Sequence, residues 1–163
     1  MRNLLVACSA ALLFGCAANP FASYDFPPGS SRQAVIARMG QPTRVVPLPS
    51  GERLQYSLQR FGQYAWMVDL DREGKVVQSR QVLTESNFHR IEPGKWTRDD
   101  VEREFGRPAF VDRVASWNGP IMTYRWKDVA NSDMFYWIYL DPNNVVQRAH
   151  PGIEPINAPN NRS

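Results

Sequence analysis

The sequence predicts an α+β fold made of two consecutive repeats, each a short helix followed by an antiparallel β-meander. Three observations carry this. First, Ser31-Arg32-Gln33-Ala34-Val35 leading to Met39-Gly40-Gln41-Pro42 is matched by Thr97-Arg98-Asp99-Asp100-Val101 leading to Phe105-Gly106-Arg107-Pro108, each residue 66 positions after its counterpart. Second, each string is followed by alternating apolar and polar runs separated by Gly, Pro and Asn turns. Third, 163 residues at 43% hydrophobic suffice for one ordinary domain. A half of roughly 60 residues buries little alone, so the two repeats are expected to pack as one unit.

Residues 1–15 read as a secretory signal outside the fold: Arg2 supplies the charge, residues 4–14 the apolar stretch, and small residues follow. Its end, Leu13-Phe14-Gly15-Cys16, resembles the bacterial lipobox, with an aliphatic residue at −3, Gly at −1 and Cys at +1. The resemblance implies diacylglyceryl transfer to the Cys16 thiol, cleavage before Cys16 and acylation of the new amine. Cys8 would leave with the signal, so the mature chain would hold one blocked thiol and no intramolecular disulfide. Several acyl chains, at about 0.8 kcal/mol per buried CH₂, anchor a protein stably. Ala17 stands where Asp would resemble an inner-membrane retention signal. The expected location is therefore the outer membrane, facing the periplasm. No apolar run approaches the ~20 residues of a spanning helix.

Residues 16–28 read as a lipidated tether, rich in Pro and small residues, whose Phe21, Tyr24 and Phe26 can dock on the fold. The first repeat covers residues 29–83. Ser31 suits a helix N-cap, Gly40 a left-handed C′ position, and Val35, Ile36 and Met39 one apolar stripe. Strands are expected at 43–48, 53–59, 64–71 and 75–83. Residues 84–89 form a short helix capped by Thr84, opening the second repeat over 84–150. There Thr97 is the N-cap, Asp99 and Asp100 suit the positive end of the helix dipole, and Gly106 ends the helix. Strands are expected at 109–115, 121–127, 134–141 and 145–149. Residues 151–163, rich in Pro and Asn, read as a disordered tail.

Nineteen Lys and Arg are interspersed with 16 Asp and Glu, without a basic stripe, so nucleic acid is set aside as a partner. His89 and His150 read as exposed side chains rather than zinc ligands. Asp69, Asp71 and Glu73 read as a solvated turn, not a cation loop. Neither a nucleophile elbow nor a phosphate loop occurs. The expectation is a protein without catalysis, cofactor or metal, and with no small-molecule substrate identified.

The candidate site is aromatic. Aligning the third strands puts Tyr64, Trp66, Val68 and Leu70 with Met134, Tyr136, Ile138 and Leu140 as the core face. The opposite face reads Ala65, Met67 and Asp69 in the first repeat but Phe135, Trp137 and Tyr139 in the second. Thr123, Arg125 and Lys127 share that face. Large aromatics beside Arg are the composition of a binding hot spot, so Phe135, Trp137, Tyr139 and Arg125 are the candidate partner-binding residues. The competing reading is that the tether, the tail or the other repeat covers this face as ordinary core.

The repeated pattern of Gly29, Ser31, Val35, Gly40 and Pro42, then Gly94, Thr97, Val101, Gly106 and Pro108, each followed by a meander, resembles the SmpA/OmlA (BamE-like) family of small outer-membrane lipoproteins. That resemblance implies a non-enzymatic accessory factor whose protein partner belongs to the β-barrel assembly machinery. Members usually carry one such unit; this chain would be a tandem version. Two such units also resemble the β-lactamase inhibitor protein architecture. The alternative reading is thus a periplasmic inhibitor or ligand-binding module.

Overall fold

Ser31 opens the first helix by accepting the Ala34 N–H on its hydroxyl, and α1 (Arg32–Met39) ends where Gly40 turns the chain. The chain then runs through β1 (Arg44–Leu48), β2 (Gly51–Ser57), β3 (Ala65–Asp71) and β4 (Val76–Gln81). Two short helices follow, α2 (Glu85–Phe88) and α3 (Arg98–Phe105). Thr97 closes a capping box on α3: its hydroxyl accepts the Asp100 N–H, and its own N–H donates to the Asp100 carboxylate. β5 (Phe110–Asp112), β6 (Ile121–Lys127), β7 (Asp133–Leu140) and β8 (Val146–Ile153) complete the order. This computed structural model describes residues 24–155. It is α+β, with two four-stranded antiparallel sheets in the orders β1-β2-β3-β4 and β5-β6-β7-β8.

The layers alternate. α1 lies on the face of the first sheet that carries Leu54, Tyr56, Val68 and Leu70, where Val35, Phe26 and Val76 complete one core cluster. The other face of that sheet carries Arg53, Gln55, Ala65 and Met67, all buried, and α3 covers it. Gln55 donates to the carbonyls of Glu102 and Arg103, and Arg53 donates to the Arg103 carbonyl. α3 and α2 turn Val101, Phe105 and Phe88 into the main core against Met122, Tyr124, Trp126, Tyr136, Ile138 and Leu140 of the second sheet. Phe88 stacks on Tyr136 with centroids 4.0 Å apart.

Four expectations change. Gly40 and Gly106 end their helices at φ 78°, ψ −166° and φ 79°, ψ −171°, not in the left-handed helical region; this extended positive-φ region is essentially open to glycine alone. The central strands of the first sheet, β2 and β3, are buried on both faces, because α3 packs on the face opposite α1. β5 stops at Asp112: the following loop folds back, and Trp117 donates its indole N–H to the Leu140 carbonyl at 2.7 Å. β8 runs on to Ile153, three residues into the segment read as a disordered tail. Pro151 is tolerated there because β8 is an edge strand. Residues 156–163 lie outside the described residues.

Candidate interaction surface

Cys16 and the lipobox lie outside the described residues. The tether does dock as far as it is described. Tyr24 stacks on Trp66 at 5.3 Å, and Phe26 is buried under Arg38, whose guanidinium lies 5.1 Å from the ring.

Pairing across β5–β8 sets the outer face of the second sheet into rows. Phe110, Thr123, Trp137 and His150 form one row; Asp112, Ile121, Tyr139 and Arg148 form the next; Arg125, Phe135 and Gly152 form a third. Adjacent rings meet edge to face, Phe135 against Trp137 at 5.7 Å and against Phe110 at 6.4 Å. Tyr139 is enclosed by Trp117 (5.2 Å), by His150 stacked at 5.4 Å and by the Arg148 guanidinium at 4.0 Å. The Trp137 ring lies across Gly152, where a Cβ would stand 2.3 Å from its Cζ3. The loop of residues 113–119, which carries Trp117, frames a shallow concavity of about 570 Å³ at the edge of this face.

No family model and no curated protein matches the chain. Among solved structures it is similar to a DUF4309 family protein (YjgB) from Bacillus subtilis subsp. subtilis str. 168, at 13% identity over 77% of this chain and 79% of that chain, with a TM-score of 0.31.

The candidate residues are thus brought together on one face, in unequal roles. Trp137 and Tyr139 are half-buried, whereas Phe135 is 8% exposed and sits beneath its neighbours. Arg125 is spent within the chain: it pairs with Glu154 at 2.7 Å and donates to the carbonyls of Arg60 and Phe61. It is Arg148 whose guanidinium lies over aromatic rings of this face, Tyr139 and Trp117. His150, read as an exposed side chain beside the tail, is half-buried between Trp137 and Tyr139.

Asp69 is likewise not in a solvated turn. It accepts two hydrogen bonds from Arg53, at 2.6 and 2.9 Å, in a partly buried network completed by Glu104 and Arg80. Burial by itself would lower the pKa of Arg53, but the Asp69 and Glu104 carboxylates outweigh it and hold that pKa above its ordinary value. For Arg80, burial and the neighbouring Arg53 leave the net shift downward. Among the described residues no group of three or more His, Cys, Asp or Glu is placed to hold a metal ion.

Proposed function

We propose that this protein is an outer-membrane lipoprotein, acylated on Cys16 and facing the periplasm, that works without catalysis by binding another protein through the outer face of its second sheet. The observation that carries the reading is that face: Trp137, Tyr139 and Trp117 are half-buried rings on the sheet, bordered by Arg148 and His150, and no helix among the described residues is laid over them. Large aromatics and Arg in a fixed frame are the residues on which association energy concentrates. The equivalent face of the first sheet differs: α3 covers it. We read the chain as two BamE-like units in tandem. What supports this is the parallel pair of Ser/Thr N-caps, the parallel pair of glycine ends, and the tyrosines bonded to those ends, Tyr56 to Gly40 and Tyr124 to Gly106. On this reading the partner belongs to the β-barrel assembly machinery.

Crosslinking in intact envelopes, followed by purification, tests the partner: barrel-assembly proteins recovered with the native protein and lost with Trp137→Ala support it. Recovery unaffected by that substitution would exclude this face. For the anchor, Cys16→Ser should leave an uncleaved or soluble form; unchanged fractionation and mobility would sink it.

A further inference from the structure

Among the described residues, Val129, Ile153 and Phe61 are the most exposed of the large hydrophobic side chains, at 100%, 76% and 75%. They belong to three separate segments. Phe61 is on the loop between β2 and β3, Val129 on the loop between β6 and β7, and Ile153 at the end of β8. The fold nevertheless brings all three to one end. The Gln59 side chain donates to the Arg125 carbonyl at 2.8 Å and accepts the Arg125 N–H at 2.9 Å. Gln63 bonds Asp133, and the Glu154 N–H donates to the Asp133 carbonyl. Leu58, 47% exposed, lies on the same loop as Phe61.

This exposure is built. Arg125 grips the carbonyls of both Arg60 and Phe61, the Gly62 N–H donates to the Leu58 carbonyl at 2.7 Å, and Arg60 is held at φ 92°. A non-glycine residue in that region is strained, so these contacts hold the loop in one conformation against a cost, with Phe61 exposed on it. The opposite end of the sheets is more polar: Arg72, Glu73 and Lys75 at the β3–β4 turn and Pro142, Asn143 and Asn144 at the β7–β8 turn are all exposed, and Val114 on the β5–β6 loop, at 45%, is an exposed large hydrophobic there.

The N-terminal segment enters at the apolar end. Tyr24 stacks on Trp66, near the start of β3, and its carbonyl accepts from Ser79. From there the chain runs along β4 to the far end, where Gly29 bonds Val76 and Ser31 bridges Lys75. Eight peptide steps separate Cys16 from Tyr24, so the two lie at most about 28 Å apart.

From this geometry we infer that the loop tips carrying Phe61 and Val129, together with Ile153, form a membrane-contact surface, seated in the headgroup region of the leaflet that holds the acyl chains. The inference rests on the lipid-anchor reading for which membrane is met. A lipid on a short tether fixes distance but not attitude; an apolar end pressed on the same surface fixes both. The strands then stand away from the bilayer, and the outer face of the second sheet looks sideways into the periplasm. Tyr139 lies six strand residues beyond Asp133, the start of β7, so at about 3.3 Å each it stands about 20 Å along the strand from that end.

The test uses the mature protein purified from membranes and reconstituted into phosphatidylethanolamine–phosphatidylglycerol vesicles, with a nitroxide on Val129→Cys, Phe61→Cys or, as the reference at the far end, Glu73→Cys. Collision with oxygen, which favours the bilayer, is compared with collision with an aqueous nickel chelate. The expected result is an oxygen-to-nickel ratio several-fold higher at 129 and 61 than at 73. Equal ratios at all three positions, in protein that stays with the vesicles, overturn the inference and leave the anchor intact. Intact mass reads acylation of Cys16 separately. Unacylated protein that still floats with the vesicles, with residue 129 in the bilayer when the label is repeated in a Cys8→Ser, Cys16→Ser background, supports the inference and sinks the anchor. Unacylated protein that does not float overturns both.

Discussion

The phenol of Tyr124 donates to the carbonyl oxygen of Gly106 at 2.7 Å, with both residues buried between the two sheets. Burial pushes the Tyr124 pKa well above 10, and the nearby Glu102 carboxylate adds to that, so the hydroxyl remains a donor. The bond fixes the end of α3 to the sheet beneath it. Tyr56 repeats it on Gly40 at 3.1 Å, but Gly40 is exposed and water can reach its carbonyl. Tyr124→Phe should therefore destabilise by about 1–3 kcal/mol, and Tyr56→Phe by about 0.5–1 kcal/mol. Urea unfolding of the two variants checks the order; equal losses would mean that burial of the acceptor is irrelevant.

The glycine that ends α3 offers a second prediction. A Cβ on Gly106 would meet Met67 and Ser57 at 3.5 Å, ordinary contact, and one on Gly40 would meet nothing within 4 Å. The cost of a side chain at either position is therefore conformational, from a positive φ with extended ψ. Gly106→Ala and Gly40→Ala should each lose about 1–3 kcal/mol, while Arg107→Ala next door stays within about 0.5 kcal/mol. Thermal unfolding distinguishes these; a neutral Gly40→Ala would remove the strain argument, since sterics cannot compensate there.

Helix ends and strand order were legible because they are written locally. Ser31 and Thr97 cap, the glycines stop, and the alternation from Ile121 to Lys127 gives a strand with the stated bounds. The seat of α3 was not legible. Arg53, Gln55 and Asp69 alternate with Leu54, Tyr56 and Val68, and polar residues in that pattern do not announce a helix packed on them. In fact Arg53 and Gln55 meet helix carbonyls and the Glu104 carboxylate from a segment about 50 residues away, and Arg53 pairs with Asp69 on the neighbouring strand. The one available signal was Met67 and Ala65, apolar residues on a face otherwise polar. The aromatic rows were legible as composition, yet the partner of each ring was not. Gly152 sits in the Pro-containing stretch read as a tail and His150 just before it, and only pairing to β7 turns that stretch into a strand.

The network around Arg53 gives a third prediction. Arg53 is 5% exposed and faces Asp69 and Glu104, whose side chains are 16% and 17% exposed. Arg53→Met keeps the bulk but leaves two largely buried carboxylates without their main cation, so it should destabilise by about 3–5 kcal/mol. Arg98→Ala removes only a half-exposed i,i+4 pair with Glu102 and should cost about 0.3–0.5 kcal/mol. Denaturant midpoints of the two variants decide whether the contact between the sheets depends on this network.

Acid should weaken the cap of α3. Burial raises the pKa of Asp100, but the Thr97 N–H and hydroxyl, with Arg103, outweigh it and hold that pKa below its ordinary 3.8. A lowered folded-state value means stability that is present above the unfolded value and lost as pH falls through the folded one. The wild type should therefore exceed Asp100→Asn in stability at pH 7, and the gap should begin to narrow as pH falls below about 4. Urea titrations at pH 7 and pH 3 measure it; a gap independent of pH would assign the capping box to shape rather than charge.

Trp137 bears on function most directly. Its ring is half-buried, lies across Gly152 and touches Phe135 and His150, so it is neither loose nor core. Trp137→Ala should cost about 1–2 kcal/mol of folding stability, against about 3–5 kcal/mol for Trp126→Ala in the main core. That modest loss leaves the protein folded for a binding assay, where removal of a central aromatic should cost about 2 kcal/mol or more. Gly152→Ala separates presence of the ring from its position. The new Cβ would fall 2.3 Å from Cζ3, so the indole has to tilt while every other ring keeps its identity. If the flat placement of Trp137 is what a partner recognises, Gly152→Ala weakens capture nearly as much as Trp137→Ala does. Capture that survives Gly152→Ala but not Trp137→Ala would mean that the partner uses the area of the ring and not its orientation. Capture that survives both would move the binding surface elsewhere.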